Sequence, residues 1–274
     1  MPAAKLIGMP FFNRRTLSTN TTSRPVVFSP AAGLELQNVS VTGETPEGTS
    51  TILHEITVSL RQPKTAVLGL NGSGKSTFLK LFNGLTHCSA GTVNVHGVNV
   101  QEHTPDVRRT AGLLFSDPQA QLIMPTPTED VELSLQRLNL NSARRRQRAL
   151  ELLTQRGLEH RAHHSIYQLS GGERQLVALT AVLAVEPTVL LLDEPTTLLD
   201  LRNALRLMEL LEQLPQQMVI STHDLELAAR CDEAIIIHEG KLIDQGPALD
   251  IIDIYRNYCA QGFPAEDERR GGHE

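Results

Sequence analysis

The stretch GLNGSGKST, Gly69 to Thr77, constrains this chain more than any other. It directly follows the apolar run TAVLGL, Thr65–Leu70, and precedes KSTFLKLFNGL, which has the apolar spacing of a helix and Gly84 as its stop. A loop this rich in glycine loses backbone entropy on ordering. A bound polyphosphate recovers that loss. Inward-turned N–H groups of Gly69, Leu70, Asn71, Gly72, Ser73, Gly74, Lys75, Ser76 and Thr77 can wrap an anion, and the helix that follows offers its positive end. The spacing Gly69-x-x-x-x-Gly74-Lys75-Ser76 is that of the P-loop, in which Lys75 reaches the β- and γ-phosphates and Ser76 ligates Mg²⁺. A nucleoside triphosphate with Mg²⁺ is the ligand this predicts.

A P-loop alone does not choose between GTPase, kinase and ATPase. A second stretch, TVLLLDEP, Thr188–Pro195, ends an apolar strand in two acids. Asp193, at the carboxyl end, is placed to hold Mg²⁺ opposite Ser76. Glu194 can point at a water attacking the γ-phosphate. Two acids at a strand end can also open a helix; Pro195 sets a sharp turn instead.

The rest of the body alternates strand and helix. LELQNVSV (Leu34–Val41) and EITVSL (Glu55–Leu60) read as strands, with a Gly/Thr/Pro-rich turn between them. QMVIST (Gln217–Thr222) and EAIIIHEG (Glu233–Gly240) are near-continuous apolar runs of the kind buried on both faces of a parallel sheet. In LRNALRLMELLEQL, Leu201, Ala204, Leu205, Met208 and Leu211 share one helical face. This alternation predicts an α/β fold with helices on both sides of the sheet. From Thr128 to about Tyr167 the pattern is helix only, which marks a helical insertion. Its arginines are interleaved with Glu151 and leucines and read as a solvated face; His160, His163 and His164 read as solvated rather than as metal ligands.

Composition narrows the partners. A net charge of −6 and the absence of tryptophan argue against a nucleic-acid surface. Cys88, Cys231 and Cys259 are scattered and odd in number, which fits neither a disulfide framework nor a metal cluster and points to a reducing compartment. Residues 1–33 contain no acid but hold Lys5, Arg14, Arg15 and Arg24; they read as a disordered basic tail, an over-long gene start or a transit segment. Residues 262–274 read as a flexible, charged tail, leaving 34–261 as the folded domain with its helical part at about 127–168.

LSGGERQ, Leu169–Gln175, resembles the signature motif of ATP-binding cassette (ABC) ATPases. The order of motifs also matches: P-loop, helical insertion, LSGGE, LLLDEP, then STHD. The resemblance implies a P-loop NTPase (RecA-like) core with an N-terminal antiparallel β subdomain and a small helical insertion. It implies that Ser170, Gly171, Gly172 and Glu173 face ATP held by a second ATPase subunit, the same chain or a sister chain. It makes Glu194 the general base, His223 of STHD the γ-phosphate switch, Lys75 a catalytic partner and Asp200 of TTLLD the D-loop residue that speaks across the dimer.

Two positions depart from the pattern. Ser116 in LLFSDPQAQL stands where the family has a Mg²⁺-contacting Gln, which makes it a candidate further ligand. No Phe, Tyr or Trp lies between Phe28 and Phe78 to stack on adenine. The run FSDPQAQLIMPTPTEDV resembles the energy-coupling-factor importers of vitamins and metal ions, and DEPTTLLDLRN is most similar to their biotin-type ATPases. This implies a transmembrane coupling protein and a substrate-binding membrane protein as partners, no nucleic acid, and a place on the cytoplasmic face of the membrane. The competing expectations are a regulatory cassette with weak or no hydrolysis and the ATPase of another ABC importer.

Overall fold

A computed structural model describes residues 26–45 and 48–264; most of the basic tail and of the C-terminal tail lie outside these. Among the described residues, ten strands and nine α-helices are laid down as β1 (Leu34–Thr45), β2 (Gly48–Leu60), β3 (Lys64–Leu68), α1 (Lys75–Leu81), β4 (Ala90–Val95), β5 (Val98–Asn99), α2 (Thr104–Thr110), β6 (Ala111–Leu114), α3 (Pro118–Gln121), α4 (Pro127–Leu135), α5 (Ser142–Gln155), α6 (Gly171–Leu183), β7 (Val189–Asp193), α7 (Leu201–Gln213), β8 (Gln217–Ser221), α8 (Leu225–Ala228), β9 (Glu233–His238), β10 (Lys241–Pro247) and α9 (Ala248–Gln261).

The larger sheet has the order β10-β9-β3-β8-β7-β6, parallel except for β10. A four-stranded antiparallel sheet, β2-β1-β4-β5, forms the N-terminal subdomain. Alternation along the buried strands sends side chains to two separate cores. Leu190, Leu192, Met218, Ile220 and Ile236 face one side, where α4, α5 and α6 contribute Val131, Leu135, Ala149, Leu153, Val177 and Leu179. Val189, Leu191, Val219, Ile235 and Ile237 face the other, against Phe78, Leu79 and Phe82 and the inner face of the small sheet. The sheet is thus the shared wall of two layers, which is why its strands read as unbroken apolar runs.

This arrangement positions the site. Strands β3, β8 and β7 are neighbours and parallel, so their carboxyl ends meet at one edge, with Val67 paired to Ser221 and Asp193 paired to Ser221. Ligands of open parallel sheets bind at that edge.

The described residues revise several expectations. The stretch expected as a loose turn between β1 and β2 is ladder: Thr42 pairs with Thr51 and Gly43 with Ser50, because threonine suits an exposed pleated surface. Residues 26–33 were expected to belong to the tail. Yet Pro30–Ala32 form a 3₁₀ turn, Ser29 N–H donates to the His96 carbonyl at 2.8 Å, and Val26 and Phe28 pack against the second core. At the other end Phe263 stacks on His238 with ring centroids 3.8 Å apart, so the first residues past α9 are docked rather than free. On α7, Leu201 is 72% exposed and Leu207 is buried instead. The helix starts at Leu201, so the inward face is set by Ala204, Leu207, Met208 and Leu211 one turn further on.

Candidate functional site

The loop after β3 wraps around the amino end of α1, with Gly69, Gly72 and Gly74 all at positive φ. Gly69 also meets a packing limit: a Cβ there would lie 2.2 Å from the Ile237 carbonyl oxygen, so only glycine lets the loop leave β3 beside β9. Together with Ile52 of β2 and Glu194, residues 71–77 line a cleft of about 250 Å³.

Inside the loop, Lys75 is 7% exposed and donates from Nζ to the carbonyls of Gly69 at 2.8 Å and Leu70 at 3.2 Å. Its Nζ lies 3.8 Å from Glu194 Oε1. Burial pushes its pKa down, and the nearby Glu194 and Asp193 charges oppose this without cancelling it. Ser76 Oγ donates to Asp193 Oδ1 at 3.0 Å, and Ser221 Oγ donates to the same oxygen at 2.6 Å. A hydroxyl and a carboxylate in contact at the cleft are hard oxygen donors that fit Mg²⁺, which keeps water and substrate phosphate as its other ligands.

Glu194 sits at φ 49, in the left-handed region, held by its N–H to the Ser221 carbonyl at 3.0 Å. Non-glycine residues adopt this conformation under constraint, and such constraint clusters at functional positions. The turn aims the Glu194 side chain between two groups. Oε1 faces Lys75, and Oε2 accepts from His223 Nδ1 at 2.7 Å. The carboxylate partner fixes the proton on Nδ1 and leaves Nε2 to face outward; the His223 side chain is 61% exposed. Thr196 Oγ1 donates to Asp224 Oδ2 at 3.3 Å and ties the two loops together. An acid beside a buried lysine and an oriented imidazole, at the mouth of a phosphate cradle, is equipped to polarise an attacking water.

Ser221, Thr196, Asp224 and Ile52 are site residues that the motif reading did not single out. Ser116, by contrast, is exposed in the turn after β6 and does not line the phosphate cleft. Pro118 starts α3 immediately beyond it, and Gln121 folds back to the Leu113 carbonyl at 3.2 Å and the Phe115 N–H at 3.0 Å. These contacts fix the turn beside the helical insertion, at the carboxyl edge of the sheet where Leu114 pairs with Leu192 of β7.

The signature residues form a second, separate feature. None of Ser170, Gly171, Gly172 or Glu173 lines the cleft. Ser170 caps α6 in a capping box: its Oγ accepts from Glu173 N–H at 3.2 Å, and its own N–H donates to Glu173 Oε2 at 2.7 Å. Expected to face a nucleotide, the Glu173 carboxylate is instead used within the chain, taking Arg161 Nε at 2.7 Å on its other oxygen. At the tip Ser170 is exposed, Gly171 half-buried and Gly172 buried, the glycines packed on the loop before α7: a Cβ on Gly171 would lie 3.1 Å from the Leu198 carbonyl and one on Gly172 3.2 Å from Asn203 Nδ2. Asp200 accepts from Asn203 N–H at 2.8 Å and so caps α7 beside that tip.

The cap makes a pH prediction. Burial works against ionisation of Glu173, but the Ser170 N–H and the Arg161 guanidinium outweigh it and hold its pKa below 4.5. A depressed carboxylate contributes stability above its unfolded pKa and loses it as pH falls through the folded value. The gap in denaturation midpoint between the native chain and Glu173→Gln should therefore be largest above about pH 5 and shrink steadily below pH 4.5. A gap independent of pH would mean that the carboxylate charge contributes nothing to the cap.

Comparison with known proteins agrees with this layout. Residues 53–197 match the family model of the ABC transporter. The biotin transport ATP-binding protein BioM of Rhizobium etli is 38% identical over 213 residues, 78% of this chain and 95% of that protein. The dimeric post-hydrolysis structure of the ATP-binding cassette MJ0796, bound to ADP and Pi, superposes with a TM-score of 0.72 at 28% identity, covering 78% of this chain and 98% of that one. CbiO1 of Clostridium perfringens, part of the ABC transporter complex cbiONQ, gives a TM-score of 0.69 at 28% identity, with 83% and 94% coverage. With phosphate loop, paired acids and signature helix in one fold, the chain belongs to the ABC transporter family and is its ATP-binding, ATP-hydrolysing cassette.

Proposed function

We propose that this chain is an ATPase subunit of an energy-coupling-factor type importer, driving uptake of a vitamin, biotin first among them, or of a metal ion. The catalytic part rests on one observation, the Glu194 carboxylate held between Lys75 and His223 at the mouth of the phosphate cleft. The transport part rests on the likeness to the Rhizobium etli biotin transport protein along almost its whole length.

In this reading residues 69–77 hold the ATP phosphates, Glu194 orients and deprotonates the attacking water, and His223 steadies the γ-phosphate. Ser76 and Asp193 would hold Mg²⁺, which would supply positive charge against the triphosphate. Ser170, Gly171 and Gly172 close over ATP on a second ATPase subunit. The separation of the signature tip from the cleft within one chain supports this, since neither half encloses the nucleotide alone. No helix among the described residues is long and apolar enough to cross a membrane. We assign the chain to the cytoplasmic face, joined to its membrane subunits through the groove between β6 and the helical insertion, which Phe115, Ile123, Leu133 and Arg137 line.

The test is transport by the assembled complex in proteoliposomes. Labelled biotin should accumulate with Mg-ATP, and not without it. ATP turnover with uptake of a different solute would overturn the biotin assignment. Absence of turnover from a complex that assembles would overturn the catalytic reading.

A further inference from the structure

The cleft grips the phosphates but gives the base little. Residues 71–77 and Glu194 are polar or small, and the one large apolar side chain lining it is Ile52, 36% exposed. The flanking aromatics cannot help, since Phe78 is fully buried on the inner face of α1 and Phe28 packs against the second core. Adenine is a flat π surface, and nothing lining this cleft offers it a matching one.

An unused aromatic stands elsewhere. Tyr167 is 82% exposed, more than any other large apolar side chain among the described residues. Its backbone is not loose. Ile166–Gln168 is a 3₁₀ turn capped by Ser165, whose Oγ accepts the Tyr167 N–H at 3.4 Å. Ile166 N–H donates to the Pro125 carbonyl at 3.0 Å, and the side chains of Ile166 and Leu169 on either side are buried. The ring is thus held outward by a fixed frame.

Position supplies the connection. Tyr167 lies three residues before Ser170, at most ~10 Å along the chain from the tip of α6. That is about the length from the terminal phosphate of ATP to its base. If the tip meets the terminal phosphate of a nucleotide on the opposite cassette, the compact 3₁₀ turn sets the Tyr167 backbone roughly 6 Å from Ser170, and the outward-held side chain extends the reach toward the base.

We infer that Tyr167 stacks on the adenine of ATP held by the opposite subunit's cleft, supplying across the dimer the aromatic surface that the cleft lacks. This rests on the two-subunit reading above. Stacking reads a π face rather than its hydrogen-bonding edge, so GTP is accepted nearly as well as ATP. Loss of one base–aromatic stack corresponds to roughly a 5- to 100-fold loss of affinity.

The chain contains no tryptophan, so Tyr167→Trp introduces a single indole at this point. One chain carries Y167W with K75A, which disables its own cleft; the other carries E194Q and holds ATP. The mixture with Mg-ATP should show quenched indole emission, and the quenching should vanish when the second chain also carries K75A. In the E194Q background, Y167A should raise the ATP concentration for half-maximal dimerisation roughly 5- to 100-fold, and Y167F should leave it near the parent value. Sedimentation separates the two ways of failing. An ATP-dependent dimer with unquenched indole and an unchanged Y167A midpoint overturns the role of Tyr167. A chain that stays monomeric with ATP, alone and with its sister ATPase, overturns the two-subunit reading itself.

Discussion

Glu194→Gln is expected to bind ATP normally and to hydrolyse it roughly 10²- to 10³-fold more slowly. The substitution changes little besides charge and basicity. Glutamine has the same length, can accept the His223 N–H that now sits 2.7 Å from Oε2, and can keep the left-handed turn that the Ser221 carbonyl holds at 3.0 Å. What it cannot do is take a proton from water. One negative charge fewer would also face the phosphate tail, so affinity for ATP should stay level or rise. With cleavage blocked, ATP-bound subunits should accumulate as dimers, because ATP stabilises whichever state it contacts more fully. Phosphate release gives the rate, calorimetry the affinity and sedimentation the assembly state. A rate within a few-fold of the parent would remove Glu194 from the role of general base. His223→Ala should slow turnover through the same unit, and the double variant should lose far less than the product of the two single effects.

The parts of this site that the sequence shows are those where one residue type is demanded by backbone geometry. Gly69 has no alternative beside the Ile237 carbonyl, and Asp193–Glu194 stand out because acids rarely end a buried strand. Ser221 carries no such mark. Its importance comes from parallel pairing of β7 with β8, which sets it beside Asp193 and gives the carboxylate a second hydroxyl donor. Periodicity does not reveal which strands are neighbours. Glu173 shows the opposite failure. Its place in a signature motif points outward, whereas the reciprocal cap with Ser170 and the Arg161 contact turn it inward. Short elements such as β4, β5 and β10 also escape notice. Val98–Asn99 is too short to show a period, and β10 is half-exposed and polar, as an edge strand can be. The ends of the folded body are hard to read for a related reason, because a few anchors such as Phe28 and Phe263 dock segments whose average composition is polar.

Lys75→Ala should cost at least 10²-fold in ATP affinity while leaving the fold standing. Lys75 is the one cation among the residues lining the phosphate cleft, and two carboxylates, Asp193 and Glu194, act on it from the sheet edge. Without it the triphosphate meets two acids and no compensating positive side chain, so charge repulsion adds to the lost hydrogen bonds. A charge-assisted contact in so enclosed a place is worth about 2–3 kcal/mol, or roughly 30- to 160-fold in affinity, and the added repulsion between phosphates and acids carries the loss past about 10²-fold. The free protein should tolerate the change better. Lys75 Nζ now bonds the Gly69 and Leu70 carbonyls in one buried and one half-buried contact, and removing its side chain leaves room for water from the adjoining cleft to replace the ammonium. The expected melting temperature is therefore within a few degrees of the parent. Lys75→Arg tests shape against charge. It restores the charge, but the planar guanidinium cannot enter a cradle in which one ammonium points at two carbonyls, so affinity should remain poor. Calorimetric titration with Mg-ATP, run beside thermal unfolding, separates these effects. Unchanged affinity in Lys75→Ala would mean that the triphosphate lies outside this loop.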